Sequence, residues 1–279
     1  MRFRTFLLML TMTLLLVLVG NLVAGKTGSV FAFLIAFFMN FFTYWYSDKI
    51  VLSMYGAKRI YEDDFPEIYS IVRDVSRKAG IKMPDVYLIE EESPNAFATG
   101  RGPEKSAVAL TTGIIEILNR DELEGVIGHE ISHIKNRDTL ISTIAATLAG
   151  AIMMLASIAR WLAFFGGFSR DDEDRGNIIV FLIIAILAPI AAMLIQMAIS
   201  RQREYMADEG SAKVTGKPLS LAKALSKLHE SLKYRRMQVN HATAHLFIVN
   251  PLRGDFISNL FSTHPPVEKR IERLKSLAF

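Results

Sequence analysis

Four apolar stretches divide this chain of 279 residues, at 6–24, 30–46, 140–168 and 178–200. Each is close to the roughly 20 residues that a helix needs to cross a hydrocarbon core. In lipid a segment must satisfy its own backbone polar groups, so stretches of this kind are read as helices. The composition agrees: 51% of residues are hydrophobic and the mean hydropathy is +0.28. Charged residues still make up 22%, too many for a chain lying wholly in lipid. The expected architecture is therefore a set of spans plus a polar domain with its own core.

Basic residues Arg2 and Arg4 precede the first stretch, as in a signal peptide. However, "LVAGKTGS" is a poor cleavage site and a second stretch follows almost at once, so residues 1–46 read as an uncleaved hairpin. "FFTYWY" near its end resembles an interfacial aromatic belt. The segment "SRDDEDRGN" between the third and fourth stretches is net acidic, whereas the other flanks are rich in Lys and Arg. The positive-inside rule then puts both termini, and the polar segments 47–139 and 201–279, in the cytoplasm. Residues 140–200 form a second hairpin, in which Arg160 snorkels to an interface and Pro189 kinks its helix. A net charge of +4 and a pI of 9.2 suit loops beside anionic lipid. No arginine-rich tract suggests a nucleic-acid partner. The absence of cysteine excludes a disulfide framework, a Cys-ligated zinc and a thiol nucleophile.

The first polar segment reads as mixed α and β. "FPEIYSIVRDVSRKAG" has helical periodicity, while "PDVYLIE", "NAFATG" and "SAVALTTG" read as short strands, the last two separated by the turn-forming "RGPEK". Helices follow near Gly113 and Arg120, the second with Asn119 as N-cap. The second polar segment is helical, with a break at "VNPLRGDF" and a closing helix after "THPP".

The chemistry concentrates in "GVIGHEISHIKNRD", residues 125–138. Four helical residues turn 400° and rise about 6 Å, so His129 and His133 share a face and can meet one metal ion. Glu130 lies on the flank, where it can reach water at that ion as a base without ligating. A chance His-Glu-x-x-His arises in roughly 1% of chains of this composition. "HATAH" (His241, His245) has the same spacing but no acid after its first histidine, and reads as structural or solvated. A catalytic zinc needs a third protein ligand. "SRQREYMADEG" offers Glu204, with Asp208 one turn on to hold the free ring nitrogen of a ligating histidine. By spacing alone Glu204 reads equally well as interfacial charge beside Arg201 and Arg203. The hairpin of the third and fourth stretches favours the ligand, because it returns Glu204 to the membrane face where the His129 helix ends.

Together with "PNAFATGR" and "FSTHPPVEKRIERL", these motifs resemble, in order and over nearly the whole chain, the HtpX-type membrane-integral zinc metalloproteases, a family that includes the CAAX prenyl proteases. The resemblance implies an α-helical membrane protein with a cytosolic α+β zincin-like metalloprotease domain, a small sheet plus the HExxH helix. It implies one Zn2+ per chain on His129, His133 and Glu204, with Glu130 as general base. His264 becomes the candidate donor to the oxyanion, although in sequence alone it reads equally well as a solvated loop histidine. Asn95, Ala96 and Phe97 fall on what resembles the family's substrate-binding edge, and Asn95 also suits a turn after Pro94. Arg270 is a candidate partner of Asp208, on a helix that also reads as a solvated face. The implied function is a zinc endopeptidase of the bacterial inner membrane, with a cytoplasmic site, acting in quality control on misfolded membrane proteins and their cytosolic loops. Its partners would be the bilayer and unfolded polypeptides. A processing peptidase of the CAAX type and a catalytically dead, zinc-stabilised scaffold are the competing readings. Four spans argue against the first, and an intact Glu130 against the second.

Overall fold

The computed structural model describes residues 2–149, 201–231, 234, 246–248 and 265–278. Helix α1 (Arg2–Met54) reverses direction at Gly25, whose φ is 60°. Asn40 Nδ2 donates to the carbonyl of Met9 at 3.3 Å and to Thr13 Oγ1 at 2.8 Å. On a straight helix Asn40 and Thr13 would stand roughly 40 Å apart, so the two limbs lie side by side. Gly20 allows this, since a Cβ there would collide with the Gly28 carbonyl and Ala32. Among the described residues, the limb Gly25–Met54 is the one helix long and apolar enough to cross a membrane. Phe31, Phe37, Phe41, Phe42 and Trp45 on it are exposed. The helix runs eight residues past the end of the apolar stretch at 46. Val51 and Leu52 bury against the sheet there, and packing of this kind sustains a helix beyond its hydropathy signal.

The sheet comprises β1 (Lys58–Arg59), β2 (Asp85–Ile89), β3 (Ala96–Gly102) and β4 (Lys105–Thr111), in the order β1-β2-β4-β3. Strand β2 runs parallel to β4, and the other pairs are antiparallel. Helix α2 (Pro66–Ala79) forms the crossover between β1 and β2 and ends at Gly80 in the left-handed conformation. Side chains alternate between the two faces of the sheet. Val86, Ala96, Ala98, Val108 and Leu110 join the core under the helices, whereas Ile89, Phe97, Ala107 and Ala109 pack on the end of α1. Burial on both sides explains why "SAVALTT" is almost continuously apolar. Strand β1 has only two residues and no clear sequence signal. Strand β3 is an edge.

Helix α3 (Thr112–Ile117) leads into α4 (Arg120–Lys135), which is capped by Asn119 in a reciprocal capping box with Glu122. Helix α4 is buried on nearly every side, between the sheet, α2, α6 (Arg201–Thr215) and α7 (Pro218–Ser231). A short apolar helix, α5 (Asp138–Ala149), follows it, and α8 (Val267–Ser276) closes the described chain. Small residues let α4 and α6 approach closely. Ser211 Oγ donates to the Gly125 carbonyl at 2.7 Å, and Gly210 faces Ser132 with no room for a methyl group. The result is a mostly helical protein with a small mixed sheet. Most of the 140–200 hairpin expected from the sequence lies outside the described residues.

Candidate metal centre

Helices α4 and α6 meet where the HExxH motif turns toward the start of α6. His129 Nε2 lies 3.1 Å from His133 Nε2 and 3.6 Å from Glu204 Oε2, and His133 Nε2 lies 3.5 Å from Glu204 Oε1. The three residues each offer a ligand atom, all within 4.8 Å of one another. A tetrahedral ion with bonds of about 2.0–2.1 Å separates neighbouring ligand atoms by roughly 3.3 Å, so this donor set fits a divalent metal ion without rearrangement. Two imidazole nitrogens facing each other at 3.1 Å, with a carboxylate completing the triangle, otherwise make a poor core.

The outer nitrogen of each histidine has its own carboxylate. His129 Nδ1 lies 2.9 Å from Asp208 Oδ1, and His133 Nδ1 lies 3.3 Å from Asp138 Oδ2. Each carboxylate in turn faces an arginine. Arg270 on α8 donates from Nε and Nη2 to the two oxygens of Asp208 at 2.9 and 2.7 Å, and its Nη1 donates to the Ile248 carbonyl at 2.9 Å. Arg203 Nη1 lies 3.5 Å from Asp138 Oδ1. Arg270 is completely buried, so the ordinary solvated helix face is not its role. Burial alone would push the His129 imidazolium down; hydrogen bonds to Asp208 and Glu204 outweigh it and bring it up to about 9. Burial likewise works to raise Asp208, yet the Arg270 guanidinium, assisted by His129, holds its carboxyl below the ordinary range.

Glu130 is buried beside the pair. Desolvation pushes its carboxyl up, the two imidazoles pull it down, Glu204 adds to the rise, and the Ala98 N–H, donating to it, opposes that rise.

A family comparison follows the same residues: the sequence pattern of Peptidase family M48 matches residues 62–278. The chain belongs to this family. It is 59% identical over 276 residues to a "Protease HtpX homolog" of Thermococcus kodakarensis, covering 99% of this chain and 95% of the relative. It is 54% identical to one of Thermodesulfovibrio yellowstonii, with 99% and 98% covered. Among solved structures, S. mikatae Ste24p aligns with 88% of this chain and 57% of its own length, at 18% identity and a TM-score of 0.48.

The other expected site residues fare unevenly. Asn95 and Ala96 stand at the edge of β3, but their outward groups are already engaged. The Ala96 N–H donates to Asn95 Oδ1 at 3.1 Å, and the Ala96 carbonyl accepts from the Ile248 N–H at 3.1 Å. The Phe97 side chain points to the other face of the sheet, among Tyr55 and Phe247. His264, His241 and His245 lie outside the described residues. Reading the sequence missed Asp138, Arg203 and the Ile248 backbone. Asp138 was legible in principle, as an acid directly after the helix that carries the ligands; the Ile248 contacts have no local signal.

Proposed function

We propose that this chain is a zinc-dependent endopeptidase, multi-pass in the inner membrane, with a zincin-like site on the cytoplasmic side that cuts misfolded or damaged membrane proteins and their cytosolic loops. The observation that carries the reading is the convergence of His129, His133 and Glu204 at ligand spacing with the buried Glu130 alongside. His129, His133 and Glu204 would hold the zinc. When bound, it would supply a Lewis acid that brings the pKa of water toward 7 and polarises a peptide carbonyl. Glu130 takes the proton from the attacking water and returns it to the leaving nitrogen. Burial pushes its carboxyl above the ordinary range, the direction that strengthens a base. The Ala98 N–H fixes the orientation of that carboxyl. His264 is assigned as donor to the oxyanion.

An extended substrate would pair with the outer edge of β3 through backbone hydrogen bonds, which bind peptide with little sequence preference. The internal bonds at Ala96, and the Ala98 N–H given to Glu130, shift this pairing toward the Ala98 carbonyl and Gly100. A purely structural zinc needs no base and gives no reason to bury Glu130 next to its ligands.

The test is purification in detergent, metal analysis, and cleavage of an unfolded protein with and without a chelator. One zinc per chain and chelator-sensitive cleavage are expected. Zinc-loaded Glu130→Gln that cleaves as fast as wild type refutes the catalytic assignment.

A further inference from the structure

We infer that Asp138 is a positioning residue for the metal ligand His133, an inference that rests on the zinc reading above. Four observations converge on it. Asp138 begins α5, yet its side chain is buried and turned back toward α4 rather than outward. One of its oxygens lies 3.3 Å from His133 Nδ1, and the other lies 3.5 Å from Arg203 Nη1. The chain reaches this orientation through Arg137, the one non-glycine residue with positive φ among the described residues, at 60°. A left-handed residue other than glycine costs of order 1 kcal/mol and persists where surrounding contacts demand it. Here the demand is the turn itself. Helix α4 ends through Asn136 and Arg137, whose N–H groups bond back to the carbonyls of Ser132 and Ile134, and the next residue is aimed at the ring one turn upstream.

The arrangement repeats the one around His129. There a carboxylate, Asp208, holds Nδ1, and an arginine, Arg270, holds the carboxylate. The Nδ1–H bond keeps the proton off Nε2, so that Nε2 presents its lone pair toward His129 Nε2 and Glu204. A ligating imidazole held in this way is also a better donor. The two halves differ in one respect: His129 is sealed in the interior, while His133 is partly accessible. Water can therefore compete for the His133 ring, which makes a dedicated carboxylate more consequential on this side.

The experiment compares wild type, Asp138→Ala and Asp138→Asn as full-length proteins in detergent, each stripped of metal and titrated with zinc against a chromophoric chelator. Urea unfolding of the metal-free forms runs in parallel. Asparagine retains an oxygen that accepts from Nδ1–H. The expected result is a 10–100-fold weaker zinc affinity in Asp138→Ala, the range for lost outer partners of a ligand. Asp138→Asn should recover most of that loss, and its metal-free urea midpoint should match wild type. Zinc affinity in Asp138→Ala equal to wild type overturns the assignment while leaving the metal site standing. So does a loss of equal size in both variants that follows their metal-free stability. Wild type that takes up no zinc overturns the metal reading and this inference together.

Discussion

Gly210→Ala tests whether the close approach of α4 and α6 assembles the metal site. A Cβ at position 210 would stand 2.5 Å from Ser132 Oγ and 2.9 Å from Ser132 Cβ. The hydroxyl can rotate away, but the Cβ cannot. Restoring an ordinary carbon–carbon contact of about 3.5–4.0 Å requires the helices to separate locally by roughly 0.6–1.1 Å. Overpacking of this kind costs about 1–3 kcal/mol. The separation also opens the triangle between the two histidines on α4 and Glu204 on α6, where metal–ligand distances tolerate only about 0.2 Å. The expected result is zinc affinity reduced at least tenfold, with slower cleavage at sub-saturating zinc and most activity regained when zinc is in excess. Chelator competition and a zinc-dependent cleavage assay read both effects. The double variant Gly210→Ala with Ser132→Gly removes both atoms that the new methyl group meets and should recover affinity. If Gly210→Ala binds zinc as tightly as wild type, or if the double variant is no better than the single, helix spacing does not set the ligand geometry and the reasoning fails.

Glu130→Gln should retain zinc and stability while cleavage of an unfolded protein falls by about 10²–10⁴ or more, since it removes the base but no ligand. Arg270→Ala should destabilise the protein by about 3–5 kcal/mol in urea, because it leaves the Asp208 carboxylate buried beside His129 without its guanidinium. Arg270→Lys should keep the charge but lose the two-pronged contact, and fall between the two. Zinc affinity should rise about tenfold per pH unit from neutrality to about pH 9 and then level off, because His129 must shed a proton held up to about 9 before it can ligate. Stability of the metal-free protein should run the other way. The His129 pKa is higher folded than its ordinary 6.5, so its stabilising contribution is fully present below 6.5 and is lost as pH rises through about 9. Urea midpoints at pH 6.5 and 9.5 read that difference. The chain has no cysteine, so Lys26→Cys, beside the α1 reversal, should react with an impermeant maleimide from outside intact cells. Glu209→Cys should react only after permeabilisation, and the opposite pattern overturns the proposed orientation.

Much of the fold could be read from the sequence because its signals are local. The strands over 85–111, the Asn119 cap and the closing helix follow from period, turn residues and capping chemistry. Helix α1 continues past its apolar stretch, which hydropathy does not show because it reports what a residue faces. Val51 and Leu52 face the sheet rather than lipid, and the helix continues to meet it. In the site, spacing exposed His129, Glu130 and His133, since one helix presents all three. Glu204 needed a second helix, Asp208 followed from its place one turn beyond, and both came within reach only through an argument about chain return. Asp138 directly follows the ligand helix, but its aim at His133 depends on a left-handed turn at Arg137, and arginine carries no signal for that conformation. The placement of Ile248 against Ala96 and Arg270 is tertiary throughout.

Charge ties these parts together. Four carboxylates, Glu130, Glu204, Asp208 and Asp138, and two guanidiniums, Arg270 and Arg203, cluster around the two imidazoles. With the imidazoles neutral and the acids ionised the cluster carries four negative and two positive charges, a net −2, in surroundings largely closed to solvent. A burden of that size is costly unless something positive enters. Positive charge is drawn in at two places. His129 holds a proton up to about 9, and Glu130 is pushed toward its neutral form. The His129 proton and a dication are thus alternative ways to offset that −2. That proton sits on the ring whose Nε2 faces both His133 Nε2 and Glu204, the point where the three donors converge. Metal uptake is therefore an exchange of the His129 proton for the ion at a single point. The two guanidiniums, Arg270 buried and Arg203 partly buried, keep the exchange from requiring more positive charge than one divalent ion supplies, because each offsets a carboxylate that orients a ligand without joining it. An Asp or Glu substituted for either arginine would leave a burden of −4, which one dication cannot balance.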